Sequence, residues 1–173
     1  MKVLFGGRRR GVFGPGKELG VYRNEIFERS DRIDAQIAAV ADEIDALRRR
    51  DLDPDVAVER LGAQEEALDE EVAGLQGMMA PEELHGLHME YETNLERVLR
   101  GIVTAERGCA LTRLPHRPPG DDEPFTYYKR AHANVTHARL RMAEIVDVLL
   151  HWEPGLLADA SVTARLERTK TQG

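Results

Sequence analysis

Four stretches of this 173-residue chain place apolar residues at alternating intervals of three and four. That spacing puts each set on one face of an α-helix, the arrangement found where helices pack together in a bundle. Aromatic residues make up only 5% of the chain, which argues against a β-sandwich or barrel. The sequence therefore predicts an all-α fold with coiled-coil-like seams. In chain order, the seams are Ile26, Ser30, Ile33, Ile37, Val40, Ile44 and Leu47; Val58, Leu61, Glu65, Leu68, Val72, Leu75 and Met79; Leu84, His88, Tyr91, Leu95, Val98, Ile102, Ala105 and Cys109; and Tyr128, Ala131, Val135, Ala138, Met142, Ile145, Leu149 and Trp152.

Three polar or proline-containing segments separate the seams: 51–55, 77–81 and 113–122. Connections this short favour antiparallel neighbours, so the simplest architecture is an antiparallel four-helix bundle over residues 19–153. A long helical hairpin that completes its core by dimerising is the alternative, and the protein is a candidate homo-oligomer. A short C-terminal helix and polar tail are predicted for residues 154–173.

The charge of the chain is unevenly distributed. Its net charge is −7, but residues 1–23 carry six basic side chains and one acidic side chain, a balance of +5 that leaves −12 on the rest. Residues 1–18 are rich in glycine and have no sustained apolar period, so they are predicted to form a flexible basic N-terminal arm.

The arm is the first candidate recognition element. Its arginines can bind carboxylates or phosphates bidentately, and its phenylalanines supply apolar anchors. These candidate partner-binding residues are Phe5, Arg8, Arg9, Arg10 and Phe13. A second interpretation folds the arm back on the acidic bundle, with Phe5 and Phe13 capping an open end. Nucleic-acid binding through the arm is a third hypothesis, which the acidic body disfavours.

One group of side chains could bind a metal. His85, His88 and Glu92 lie three and four residues apart on the third helix, as do Asp147 and His151 on the fourth. If the two helices fold back so that residue 88 is level with about residue 148, the five side chains face each other, a donor set suited to Zn or Fe. In the alternative interpretation, His88 is a core residue bonded to Tyr91 or a buried acid, while His85 and His151 lie at the surface.

Two further polar seam positions have structural interpretations. The lone Cys109 is expected to be a small buried side chain and not a nucleophile, because it follows Ala105 on the seam. Glu65 is expected to set helix register by pairing with an arginine across the seam.

No apolar run approaches the ~20 residues of a membrane-spanning helix, and the chain begins without a secretory leader pattern. Together with the single cysteine, this favours a cytoplasmic protein. The function predicted is a non-enzymatic scaffold or adaptor for another protein, without a cofactor. A metal-binding bundle with Zn or Fe is the alternative.

Overall fold

The computed structural model describes residues 15–116 and 118–153. It contains four helices: α1 (Pro15–Arg49), α2 (Pro54–Gln76), α3 (His85–Thr112) and α4 (Pro124–His151), with one 3-10 turn before α3 at Glu82–Leu84. The described residues contain no β-strand. The predicted all-α fold is confirmed.

The helices form an up-down-up-down bundle in which neighbours in sequence are neighbours in space, and α4 packs back on α1. Polar pairs between the helices are consistent with this order: three join a residue early in one helix to a residue later in its neighbour, and the fourth joins the middles of α1 and α4. The pairs are Glu43–Arg60 (3.1 Å), Leu75–His88 (3.1 Å), Glu90–Arg141 (2.7 Å) and Asp34–Arg139 (2.7 Å).

The predicted seams supply most of the buried core, with one correction in α2. Met79 is 88% exposed because α2 ends at Gln76, where Gly77 donates its N–H to the carbonyl of Ala73 and turns the chain away. Ala57 is fully buried at the other end of α2, where Val58 is only half-buried. The described residues contain no helix that is both long and apolar enough to cross a lipid bilayer.

The first helix begins four residues before the predicted bundle boundary at residue 19. Proline is favoured in the first turn of a helix, where its missing N–H has no partner to lose, and Glu18 complements the positive end of the helix dipole. Residues 1–14 of the predicted arm lie outside the described part of the chain. Residues 154–173, for which a short helix and tail are predicted, also lie outside it.

Helix α1 ends on an arginine in a left-handed conformation. Arg50 has φ 63°, while Asp51 donates its N–H to Ala46 at 2.9 Å. This is the geometry of a helix C-cap that glycine usually supplies. Asp53 then caps α2 by accepting the N–H groups of Asp55 and Val56.

Helices α3 and α4 approach closely through small residues. A Cβ atom added to Gly101 would lie 2.7 Å from Cγ2 of Val135, and one added to Gly108 would lie 2.6 Å from the ring of Tyr128. Neither position has room for a methyl group. The contact holds α3 and α4 at a fixed distance and register.

Replacement of Gly101 by alanine is expected to lower the free energy of unfolding by about 1–2 kcal/mol. The added methyl group overlaps a buried β-branched side chain, and that overpacking outweighs the gain in helix propensity of about 1 kcal/mol. Gly62→Ala is the control, because a Cβ at Gly62 meets nothing within 4 Å, and it is expected to raise stability by about 0.5–1 kcal/mol. Urea unfolding followed by circular dichroism measures both; equal effects of the two substitutions would contradict the close contact.

Candidate functional site

The partner-binding residues predicted in the arm, which are Phe5, Arg8, Arg9, Arg10 and Phe13, lie outside the described residues. Their role stays a prediction. The remaining candidate residues lie within the bundle, and their positions follow.

The five predicted metal ligands do not come together. The register of α3 and α4 is close to the predicted one, since Gly108 packs against Tyr128 and Gly101 against Val135. The predicted ligands are separated because Asp147 and His151 lie on the exposed side of α4. Asp147 and His151 pair with each other at 3.1 Å on the surface, where their side chains are 76% and 75% exposed.

The three candidates on the third helix also separate. His85 is exposed, whereas His88 and Glu92 are only 3% and 7% exposed. Among the described residues, no group of three or more His, Cys, Asp or Glu side chains is arranged to hold a metal ion. The prediction of one five-residue centre is therefore corrected: the structure gives an internal pair and a separate surface pair.

His88 joins three helices at one end of the bundle. Its Nε2 atom lies 3.1 Å from the carbonyl oxygen of Leu75 in α2, to which it donates because a carbonyl can only accept. Its Nδ1 atom lies 3.1 Å from the hydroxyl of Tyr22 in α1, and Glu92 is 3.6 Å from Nε2. The expected core histidine is present, but its partners are Tyr22 and a backbone carbonyl, not Tyr91.

The hydroxyl of Tyr22 stays protonated in this environment. Burial raises its pKa well above the usual range, and the nearby Glu92 carboxylate raises it further. With the His88 proton on Nε2, the Tyr22 hydroxyl donates to Nδ1. Each nitrogen of the imidazole then has a hydrogen-bond partner, as a buried polar side chain requires.

Cys109 is buried and contacts the Tyr128 hydroxyl, with the oxygen 3.6 Å from Sγ. Burial raises the pKa of the thiol, against smaller opposite effects of Tyr128 and Arg113. A thiol that is protonated and enclosed is a poor nucleophile. The prediction of a small buried side chain is confirmed.

Glu65 pairs with no arginine among the described residues. Glu65 is half-buried, and its charge acts on the carboxyl of Glu106 in α3. Burial, and then repulsion from Glu65, raises the pKa of the Glu106 carboxyl. The α2–α3 contact thus carries two like charges where the sequence suggested an ion pair.

The structure adds a feature that the sequence patterns did not predict: a groove between α1 and α4 with a volume of about 300 Å³. Its floor is apolar, its rim carries three aspartates, and we call it the α1–α4 groove. The floor and walls include Ser30, Ile33, Ile37, Tyr91, Met142, Ala143, Val146 and Leu150, and the rim includes Asp31, Asp34, Arg139 and Asp147.

An arginine neutralises one of the three rim aspartates. No arginine or lysine among the described residues neutralises the other two. Arg139 binds both carboxylate oxygens of Asp34, at 2.7 and 2.8 Å, and this bonding lowers the pKa of the Asp34 carboxyl. Asp31 is exposed without an ion-pair partner among the described residues, and Asp147 has only the exposed His151 beside it. The groove therefore presents negative charge above an apolar floor.

A second cavity, of about 770 Å³, lies at the opposite end of the bundle from His88, between the α1–α2 and α3–α4 connections. Its wall includes Arg50, Pro54, Glu123 and Phe125. The mixed lining presents one arginine beside three acidic side chains, Asp51, Asp53 and Glu123. Asp51 pairs with Arg49 and Asp53 caps α2, whereas Asp31 of the α1–α4 groove has no ion-pair partner among the described residues, so the groove is the stronger candidate site.

No protein-family model, curated protein or solved structure matches this chain. The function is therefore argued from its residues.

Replacement of His88 by alanine is expected to lower the free energy of unfolding by about 3 kcal/mol. The substitution leaves a cavity and removes the hydrogen-bond partner of the buried Tyr22 hydroxyl. His85→Ala, at an exposed position on the same helix, is the control and is expected to change stability by less than about 0.5 kcal/mol. Urea denaturation of both variants checks this, and similar values for the two would show that the His88 bonds do not hold the helices.

Replacement of Glu106 by glutamine is expected to raise stability at pH 7 by roughly a few tenths of a kcal/mol, since the group is only half-buried and solvent screens much of its charge. The folded state raises the pKa of Glu106, so ionisation opposes folding at neutral pH. This penalty is relieved as the pH falls through the raised pKa. The gain is thus expected to disappear near pH 3.

Urea midpoints at pH 7 and pH 3 measure the Glu106 effect. Glu66→Gln is the matched control, an exposed acid on α2 that makes no ion pair among the described residues. A gain that persisted at pH 3 would mean that the effect comes from packing and not from charge.

Proposed function

We propose that this protein is a non-enzymatic helical adaptor that binds a segment of another protein in the α1–α4 groove. The observation that carries the proposal is the chemistry of that groove, where an apolar floor lies beneath three aspartates and a single arginine. A surface of this kind complements an apolar side chain flanked by basic residues.

The state of the reactive side chains favours a binding platform over a catalyst. His88 and Glu92 are buried and bonded within the core, and the Cys109 thiol has a raised pKa. A general base or nucleophile has to reach its substrate, and these groups have no such access.

The basic arm is the second element of the proposal. Arg8, Arg9 and Arg10, with Phe5 and Phe13, would contact acidic and apolar surface of the partner protein once the partner's own segment lies in the groove. The bundle itself supplies a rigid surface, because its four helices share one continuous core.

The test is co-purification from the native host with three versions of the full chain. The first is the unchanged chain, and the second carries Asp31→Arg and Asp147→Arg in the groove. The third carries Asp69→Arg and Glu70→Arg, two exposed acids on α2 that form no ion pair among the described residues. All four substitutions are at exposed positions, so circular dichroism spectra and unfolding midpoints should agree.

We expect the unchanged chain and the α2 variant to retain the same protein in stoichiometric amount. The groove variant should retain at least tenfold less of that protein. Reversal of two charges at the groove removes the attraction and repels a basic segment. Equal retention by all three versions, or retention of no stoichiometric protein by any version, would overturn the proposal.

A further inference from the structure

The α1–α4 groove has a chemical complement within the same chain. Residues 1–14 contain four basic side chains and no acidic one, together with Phe5 and Phe13. We infer that this segment folds back along α1 and seats Phe5 in the α1–α4 groove when no partner is bound. The inference rests on the proposed function, because it describes how that same site is occupied and regulated.

The length of the segment matches the distance that it has to cover. From Pro15 to Asp31, α1 rises about 24 Å at ~1.5 Å per residue. An extended chain covers ~3.3 Å per residue, so about seven residues span that distance. If the chain reverses at Phe13 and Gly14, Phe5 or Gly6 reaches the level of Asp31.

The same register places Arg8 beside the second unneutralised rim acid. The Asp34–Arg139 and Arg23–Leu149 bonds between α1 and α4 put Asp147 level with about residue 26 of α1, about 16 Å from its start. Arg8 precedes Phe13 by five residues, so an extended chain that reverses at Phe13 brings it to this level, with Arg9 and Arg10 just before it.

The groove also has space and apolar surface for the proposed anchor. Its volume of about 300 Å³ is more than one phenyl side chain occupies, and Met142, Val146 and Leu150 line it from α4. Phe27 lies one helical turn before Asp31 and is 47% exposed, which extends the apolar path toward the start of α1.

An arm in the groove would control access to it. A partner segment with the same chemistry, an apolar side chain between basic residues, has to displace the arm before it binds, which lowers its apparent affinity by the fraction of chains that are closed. Displacement then frees Arg8, Arg9 and Arg10 for the partner. Binding of the partner segment in the groove and exposure of the arm's arginines are thereby coupled.

Disulfide trapping in the full chain tests the inference. Gly6→Cys is combined with Ala143→Cys, which lines the groove, or with Ala73→Cys, which is exposed on the outer face of α2. Ala73 is at nearly the same height, because the adjacent Gly74 packs against Arg29 of α1. Cys109 is buried in each variant. Oxidised glutathione serves as the oxidant, and the products are identified by mass spectrometry.

We expect the Gly6/Ala143 pair to form an intramolecular disulfide at least fivefold faster than the Gly6/Ala73 pair. Adding Phe5→Ala to the first pair, or reversing the charges of Asp31 and Asp147, should remove this advantage. Equal rates for the two pairs would overturn the inference. So would a product that is mainly a disulfide-linked dimer, because the groove would then hold the arm of a second copy.

Failure of this inference is distinguishable from failure of the adaptor function. Unselective trapping together with partner capture that depends on Asp31 and Asp147 would reject the docked arm and support the adaptor. Selective trapping without any captured protein would reject the adaptor and leave the groove as a site for the arm alone.

Discussion

The register of the α3–α4 pair determines which side chains meet in the rest of the bundle. Gly101 and Gly108 bring the two helices so close that Val135 and Tyr128 fill the space beside them. A small residue next to a large one fits in only one register, since sliding either helix would place large residues opposite each other. That register carries Asp147 and His151 to the surface, and it places Met142 and Val146 where they line the α1–α4 groove.

A single imidazole connects the other helices at the end of the bundle where α2 finishes. The carbonyl of Leu75 is among the last in α2 and has no partner within the helix, and it accepts from His88 as well as from the N–H of Met78. The Tyr22 hydroxyl bonds to the other nitrogen. One buried polar side chain thus satisfies a helix end and orders three helices, which explains a histidine at an otherwise apolar seam position.

The sequence predicted the fold class, the order of the helices and most of the core, because apolar spacing reports directly on which face of each helix is buried. It did not predict the metal-ligand geometry correctly, because the level of Asp147 and His151 along α4 does not determine that their side chains lie on the exposed face, away from the buried His88. The charge pairing of Glu65 was wrong for a related reason: spacing identifies a seam, but not the residue that faces it from the next helix. The groove was missed because it arises between two helices, from residues such as Ser30 and Ala143 that are small where a larger side chain would close it.

Ser30 is a polar residue of the α1 seam that lines the α1–α4 groove. It occupies a seam position of α1 where the neighbouring members are isoleucines, and its hydroxyl donates to the carbonyl of Phe27 at 2.8 Å. The serine hydroxyl is therefore satisfied within α1, and its side chain is buried. An isoleucine there would bury more apolar surface, which would contribute roughly 1–2 kcal/mol to the free energy of unfolding. That is a substantial part of the stability of a typical domain. The α1 seam thus contributes a small polar residue to the groove at Ser30, beside the apolar side chains of Ile33 and Ile37.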